Sequence, residues 1–423
     1  MDDADRLNEV LRRDHPAIVR SLSPLGLRAA FPRGIPFQAD EAKNSRIDAT
    51  IGQLTDGEGR PLPLPALSSA VDGLDPAATF LYAPVDGPKA LRAAWGARER
   101  RLGQARVGSS TPVVTHGLTH GLALVSDLFA DPDTDVLVPS PAWENYELVF
   151  QLHAGARIVP YAVTSPTDPD RLDLEGLART LAGVRSKAIL VLNLPSNPLG
   201  WTPRPDDVAG LVEVIAAHPG PLVVVTDDAY QGWVYTAGRQ VRSVFWDLAE
   251  RADPERHVIL KADAATKELM FFSSRVGFLT HTTTTAPAEV AMLSKLKYVI
   301  RGTVGSASGP ALAMVARALG DPTLEDAVAD RRSLLSDRYR TLEAALASLD
   351  PERMRVRPFN AAFFVFVELG GGLDADAVRR ALLAEASVGT IAFRAENALR
   401  LAYCSIAEAR LPELVDALAR AAG

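Results

Sequence analysis

The run Ala188-Ile-Leu-Val-Leu-Asn-Leu-Pro-Ser-Asn-Pro-Leu-Gly200 and, after one helical pattern, Leu222-Val-Val-Val-Thr-Asp-Asp-Ala-Tyr230 decide the fold. Each opens on apolar residues without polar alternation, so neither face of the strand is meant for water, and each ends on a polar turn. Between them Val208, Leu211, Val212 and Ile215 fall on one stripe of a helix over 204–217. Strand, helix and strand at this spacing form the unit of a parallel sheet covered on both faces. The same alternation extends outward. Asp135-Val-Leu-Val-Pro139, Val258-Ile-Leu260 and Val276-Gly-Phe-Leu-Thr280 are further buried runs, and residues 118–129 put Leu122, Val125 and Leu128 or Phe129 on one helical stripe. In open sheets of this kind a ligand lies beyond the carboxyl ends of the strands, where Asn193, Asp227 and Lys267 fall.

After Gly309-Pro310 the pattern changes. A long helical stretch over 310–349 leads to a strand, Ala362-Phe-Phe-Val-Phe-Val-Glu368, a helix over 374–385, a second strand, Leu399-Arg-Leu-Ala-Tyr-Cys-Ser-Ile406, and a last helix from Leu411. The expected class is therefore α/β: a three-layer α/β/α large domain over 55–310 with a mainly parallel sheet. Residues 1–54 and 311–423 are expected to form a smaller α+β domain.

At 423 residues, 47% hydrophobic and 23% charged, the chain has an ordinary globular composition with material for more than one core. A net charge of −7 argues against a nucleic-acid surface. One cysteine, Cys404, rules out an intrachain disulfide and any multi-cysteine metal site. The start Met1-Asp2-Asp3-Ala4-Asp5-Arg6 lacks the order of a signal peptide, and no apolar run approaches the ~20 residues of a membrane helix. The expectation is a cytoplasmic protein without membrane or nucleic-acid partners. His116 and His120 are four apart but have no accompanying carboxylate, so no metal site is expected.

The chemistry-bearing residues occur in a fixed order. Thr115-His-Gly-Leu-Thr-His-Gly-Leu122 opens a helix, where free N–H groups and the dipole favour an anion. Arg275, in Ser-Ser-Arg-Val-Gly-Phe278, can grip a phosphate bidentately. Lys267 follows a strand and loop, and burial there would favour the neutral amine that a nucleophilic lysine needs.

In this order and spacing, residues 46–406 resemble a class I/II aminotransferase of fold type I, of the aspartate aminotransferase kind. The resemblance implies pyridoxal 5′-phosphate (PLP) attached to Lys267, which also serves as the general base. It implies a phosphate held by Gly117, Leu118, Thr119 and Arg275, Asp227 at the pyridine nitrogen, Tyr230 and Asn197 at the ring oxygen, and Trp143 stacked on the ring. Arg400 would clamp the substrate α-carboxylate, with Gly52 and Asn197 beside it. Tyr82 would reach the phosphate of a neighbouring subunit and Arg301 a substrate side-chain carboxylate there, so the resemblance implies a homodimer with shared active sites. The substrates implied are an amino acid, with an acidic one favoured by Arg301, and a 2-oxo acid. Two departures stand out: Ala264 replaces a serine, with Thr266, Ser273 or Ser274 expected to compensate, and Val304-Gly-Ser-Ala-Ser308 replaces the family's Tyr-Ser-Asn-Pro-Pro. Relatives on this scaffold also run β-elimination, decarboxylation and ring closure, so a PLP-dependent lyase or decarboxylase is the alternative. A non-catalytic effector module of a transcription regulator is the remote one, disfavoured because only about 45 residues precede Ile47.

Overall fold

The computed structural model describes residues 3–31, 34–282 and 285–423. Its centre is a seven-stranded sheet of β1 (Val113–Thr115), β2 (Asp135–Ser140), β3 (Arg157–Ala162), β4 (Ala188–Leu192), β5 (Leu222–Asp227), β6 (His257–Ala264) and β7 (Gly277–His281), in the order β1-β7-β6-β5-β4-β2-β3. Neighbours are parallel except that β7 runs antiparallel to both β1 and β6. Helices Leu118–Phe129 and Pro205–Ala216 fall where the stripes placed them.

The sheet divides two cores. Leu190, Val224 and Ile259 enter one apolar cluster, whereas Ile189, Val191, Val225 and Leu260 enter another on the opposite face. Each such side chain contributes about 1.5–3 kcal/mol by burial, which is why uninterrupted apolar runs form the central strands. β6 is longer than its apolar run because Lys261 and Asp263, which read as polar, pair with each other inside the protein.

A four-stranded antiparallel sheet, with Phe364–Leu369 and Ala398–Ala402 at its centre, forms a separate core with Ile47, Ala49 and Leu54. The strand expected to reach Ile406 stops at Ala402, and Tyr403–Ser405 turns as a short 3-10 helix. The helical stretch over 310–349 is two helices, Gly309–Leu319 and Leu324–Leu346, since Gly320 and Pro322 interrupt it. The first of them packs against Lys89–Leu102 and Pro76–Phe80 in a cluster with Trp95 and Phe278. No described helix is long and apolar enough to cross a membrane.

Candidate active site

Carboxyl ends of β1, β2, β4, β5 and β6 surround a pocket of about 220 Å³ lined by Gly52, Trp143, Asn197, Asp227, Tyr230, Lys267, Arg275 and Arg400. Leu118 and Thr119, the first residues of the helix after β1, line it too. Gly117 caps that helix with φ +77, and a Cβ built on it would lie 2.3 Å from Arg275 Nη2. A side chain there meets both backbone strain and a clash with Arg275. Arg275 has a left-handed φ of +52 and makes no ion pair or side-chain hydrogen bond with any described residue. Free helix-start N–H groups beside an uncommitted guanidinium form an anion cradle.

Asp227 ends β5 and is 1% exposed. Its Oδ2 accepts from the Tyr146 hydroxyl at 2.7 Å, and its Oδ1 from the Ala229 N–H at 3.2 Å. Burial pushes its carboxyl up to about 6 against those two hydrogen bonds. No cation lies within ion-pair distance of it among the described residues, so a cation in the pocket would be its partner.

Lys267 sits on the short helix Ala265–Glu268 after β6, with Nζ 5.0 Å from the Tyr230 ring centre. Burial lowers its amine to about 8, with Asp227 opposing and Arg275 assisting the shift. Tyr230 is held edge-on by Phe363 and Phe364, and Trp143 meets the Tyr146 ring edge-on at 5.8 Å.

Arg400 is 2% exposed and lies 4.3 Å over the Phe364 ring. Its Nη1 donates to Asn197 Oδ1 at 3.0 Å and its Nη2 to the Thr50 carbonyl at 2.6 Å, while its buried Nε has no partner among the described residues. Burial brings its guanidinium down to about 10. No carboxylate pairs with it among the described residues, which is the state of an arginine waiting for an anionic ligand.

Asn197 arrives through a turn that docks on the small unit. Asn360 and Ala361 donate their N–H groups to the Gly200 carbonyl at 2.9 and 2.8 Å, and a Cβ on Gly200 would stand 1.8 Å from the Phe364 carbonyl oxygen. Asn193 fixes the turn at its other end, accepting from the Asn197 N–H at 2.7 Å and donating to the Asp227 carbonyl at 3.0 Å.

Tyr82 and Arg301 are not brought into this pocket. Tyr82 is fully exposed, and Arg301 is exposed near the end of the helix Ala286–Thr303. Of the three hydroxyls weighed beside Ala264, Thr266 lines the pocket with a buried Oγ1 lacking a partner among the described residues. Ser274 is engaged by the Val276 N–H and Ser273 is exposed. Asp228 points to the other face of β5, where Lys261 and Ser243 hold it.

Sequence reasoning missed Tyr146 and Phe364 as site residues, and the apolar Ile35 and Ile51 of the pocket wall. Tyr146 alone left a signal, three residues after Trp143. The others gain their place only through packing.

Residues 46–418 match the sequence profile of aminotransferase class I and II. The chain belongs to that family. "Probable N-succinyldiaminopimelate aminotransferase DapC" of Mycobacterium tuberculosis is 32% identical over 223 residues, 51% of this chain and 53% of DapC. The match thus spans about half the length of that relative. "Probable aspartate/prephenate aminotransferase" of Aquifex aeolicus is 25% identical over 351 residues, 80% of this chain and 83% of that protein. A crystal structure of an aminotransferase from Anaerococcus prevotii superposes with TM-score 0.82 at 17% identity, covering 95% of this chain and 98% of that one. The fold is that of the family's α/β scaffold, and PLP is the cofactor of class I and II aminotransferases. The site residues fit that group. An anion cradle, an uncompensated buried carboxylate and an amine of lowered basicity face one cavity.

Gly117→Ala should therefore keep the fold and lose cofactor. Arg275, a flexible chain end, would move aside, and the positive φ would strain at about 1–3 kcal/mol. The expected result is a PLP dissociation constant raised roughly 5- to 150-fold, measured by equilibrium dialysis, with an unchanged far-ultraviolet spectrum.

Proposed function

We propose that the protein is a PLP-dependent aminotransferase that moves an amino group between an L-amino acid, with an acidic one favoured, and a 2-oxo acid. The observation that carries this reading is the pairing in one pocket of Lys267, an amine of lowered basicity, with Arg400, a buried guanidinium free of carboxylates. The first can shuttle a proton and the second can fix an α-carboxylate.

When bound, PLP draws electrons from the substrate Cα and so weakens its C–H bond. Arg275, the N–H groups of Gly117, Leu118 and Thr119, and the Thr266 hydroxyl would hold the phosphate. Asp227, kept in place by Tyr146 and Ala229, would hold a proton on the pyridine nitrogen. Tyr230 and Asn197 would bind the ring oxygen, and Trp143 would cover one ring face and exclude water. Arg400, braced by Asn197 and Thr50 next to Gly52, would orient the α-carboxylate. Lys267 Nζ, the point of attachment, would take the Cα proton and return it to the cofactor carbon that bears the transferred nitrogen.

Tyr82 is exposed together with Phe80 and Leu81, at 85% and 69%, in a segment that suits contact with a second copy of the chain. In the proposed homodimer Tyr82 and Arg301 serve the partner's pocket. A panel of amino donors against 2-oxoglutarate tests the substrate class. Aspartate and glutamate should outrun aromatic donors, and Arg301→Ala should cost the acidic donors about 10- to 100-fold in kcat/KM, the value of one charge-assisted contact. Equal rates for acidic and aromatic donors in the parent would remove the acidic preference. Pyruvate and ammonia formed without any acceptor would replace transamination by elimination.

A further inference from the structure

Behind the pocket just described lies a second cavity of about 220 Å³. Two residues of its lining directly follow active-site residues: Gln231 follows Tyr230, and Glu268 follows Lys267. Three buried polar atoms on this lining have no hydrogen-bond partner among the described residues: Glu268 Oε1, Gln231 Oε1 and Trp233 Nε1. The side chains that carry them are nearly sealed, their residues being 4%, 7% and 1% exposed. An unsatisfied buried group costs about 1–3 kcal/mol. Three of them around one cavity call for a polar occupant that both donates and accepts.

The charges narrow the choice. Glu268 belongs to a buried cluster in which Glu99, Asp228, Asp263 and Glu268 meet Arg98 and Lys261, with the partly exposed Glu325 on Arg98 as well. Lys261 Nζ lies 3.0 Å from Glu99 and 3.4 Å from Asp228 and also contacts Asp263, so it is fully engaged. Arg98 Nη1 lies 2.7 Å from Glu268 Oε2 and 2.9 Å from Glu99. The carboxylates outnumber the cations there, and burial pushes the Glu268 carboxyl up, so that it holds a proton where no cation faces it. A ligand ammonium at Glu268 Oε1 would take that proton's place.

The same cavity also offers an anion contact. Arg332, on the helix Leu324–Leu346, makes a single side-chain hydrogen bond, to the Gly232 carbonyl at 3.3 Å, and no described carboxylate pairs with it. Trp233 Nε1 is a donor and nothing else. Leu102, Val241 and Val328 add an apolar wall.

We propose that this cavity binds a small zwitterionic α-amino acid, its ammonium on Glu268 and Gln231 Oε1 and its carboxylate on Arg332 and Trp233 Nε1. The ligand is an effector: bound there, it ties the helix Leu324–Leu346 to the segments carrying Tyr230 and Lys267. The site stands independently of the reaction the enzyme catalyses.

Calorimetric titration of the PLP-loaded protein with glycine tests it, with the cofactor's visible absorbance recorded in parallel to report the active site. The expected result is a binding heat that remains after the absorbance change has saturated. It should persist in Arg400→Ala, which removes the active-site carboxylate clamp. Arg332→Gln should weaken this second event at least tenfold with an unchanged melting temperature, and Trp233→Phe should weaken it as well. Absence of any heat beyond the absorbance-linked event would mean the cavity holds water only and would overturn the proposal. So would a second event that Arg332→Gln leaves intact, or inorganic phosphate binding as strongly as glycine.

Discussion

Lys267→Ala lowers turnover by about 10⁴-fold or more while leaving the melting transition intact, because it removes both the attachment amine and the proton carrier. The variant also lacks the visible absorbance of lysine-linked cofactor. Lys261, the nearest lysine in sequence, does not take its place. It is 1% exposed and held among three carboxylates on the far side of β6, whereas Ala264 faces the site. The pH dependence of cofactor uptake checks the same residue in the parent. Burial lowers the amine from 10.5 to about 8, so the neutral form gains roughly tenfold per pH unit below 8 and levels off above it. The uptake rate of the cofactor-free protein should follow that curve. A rate that climbs steadily to pH 10 would mean Lys267 is an ordinary solvated lysine.

Asp227→Asn reduces kcat by about 10²- to 10³-fold, the cost of removing one fixed charge from where charge develops. Asparagine retains the side chain's shape, and its oxygen can accept from the Ala229 N–H while its amide donates to the Tyr146 hydroxyl oxygen, so stability should change little. Tyr146→Phe serves as the comparison. It deletes one hydrogen bond to the Asp227 carboxylate, of about 1.5–3 kcal/mol, but keeps the charge, and should slow turnover less than Asp227→Asn does. Equal losses in the two variants would assign Asp227 a purely structural role.

Much of this was legible before any coordinates. The apolar runs at 188–192 and 222–226 mark central strands because both of their faces must be dry, and strands so marked put Asn193 and Asp227 at their carboxyl ends. Gly117 was legible through the helix start that follows it. Phe364 was not, because nothing local distinguishes a core phenylalanine from one lying under an arginine. The break at Gly320 to Pro322 was present in the sequence but masked by helical periodicity on either side. Arg301 and Tyr82 could be named from a resemblance alone, and one chain leaves both outside its own pocket.

The sequence by itself determined the α/β class and put Asn193 and Asp227 at the ends of central strands, since periodicity is a local property of a chain. Tertiary structure alone decided the charge states and partners of the site residues. Asp227 and Asp228 are adjacent in sequence, yet strand alternation sends one to the pocket and the other to the ion cluster around Lys261. Arg400 lacks a carboxylate, Lys267 has lost basicity and Glu268 has an idle oxygen because of what other segments bring against them. Burial and pairing are set by elements distant in the chain, and pattern within one segment cannot contain them.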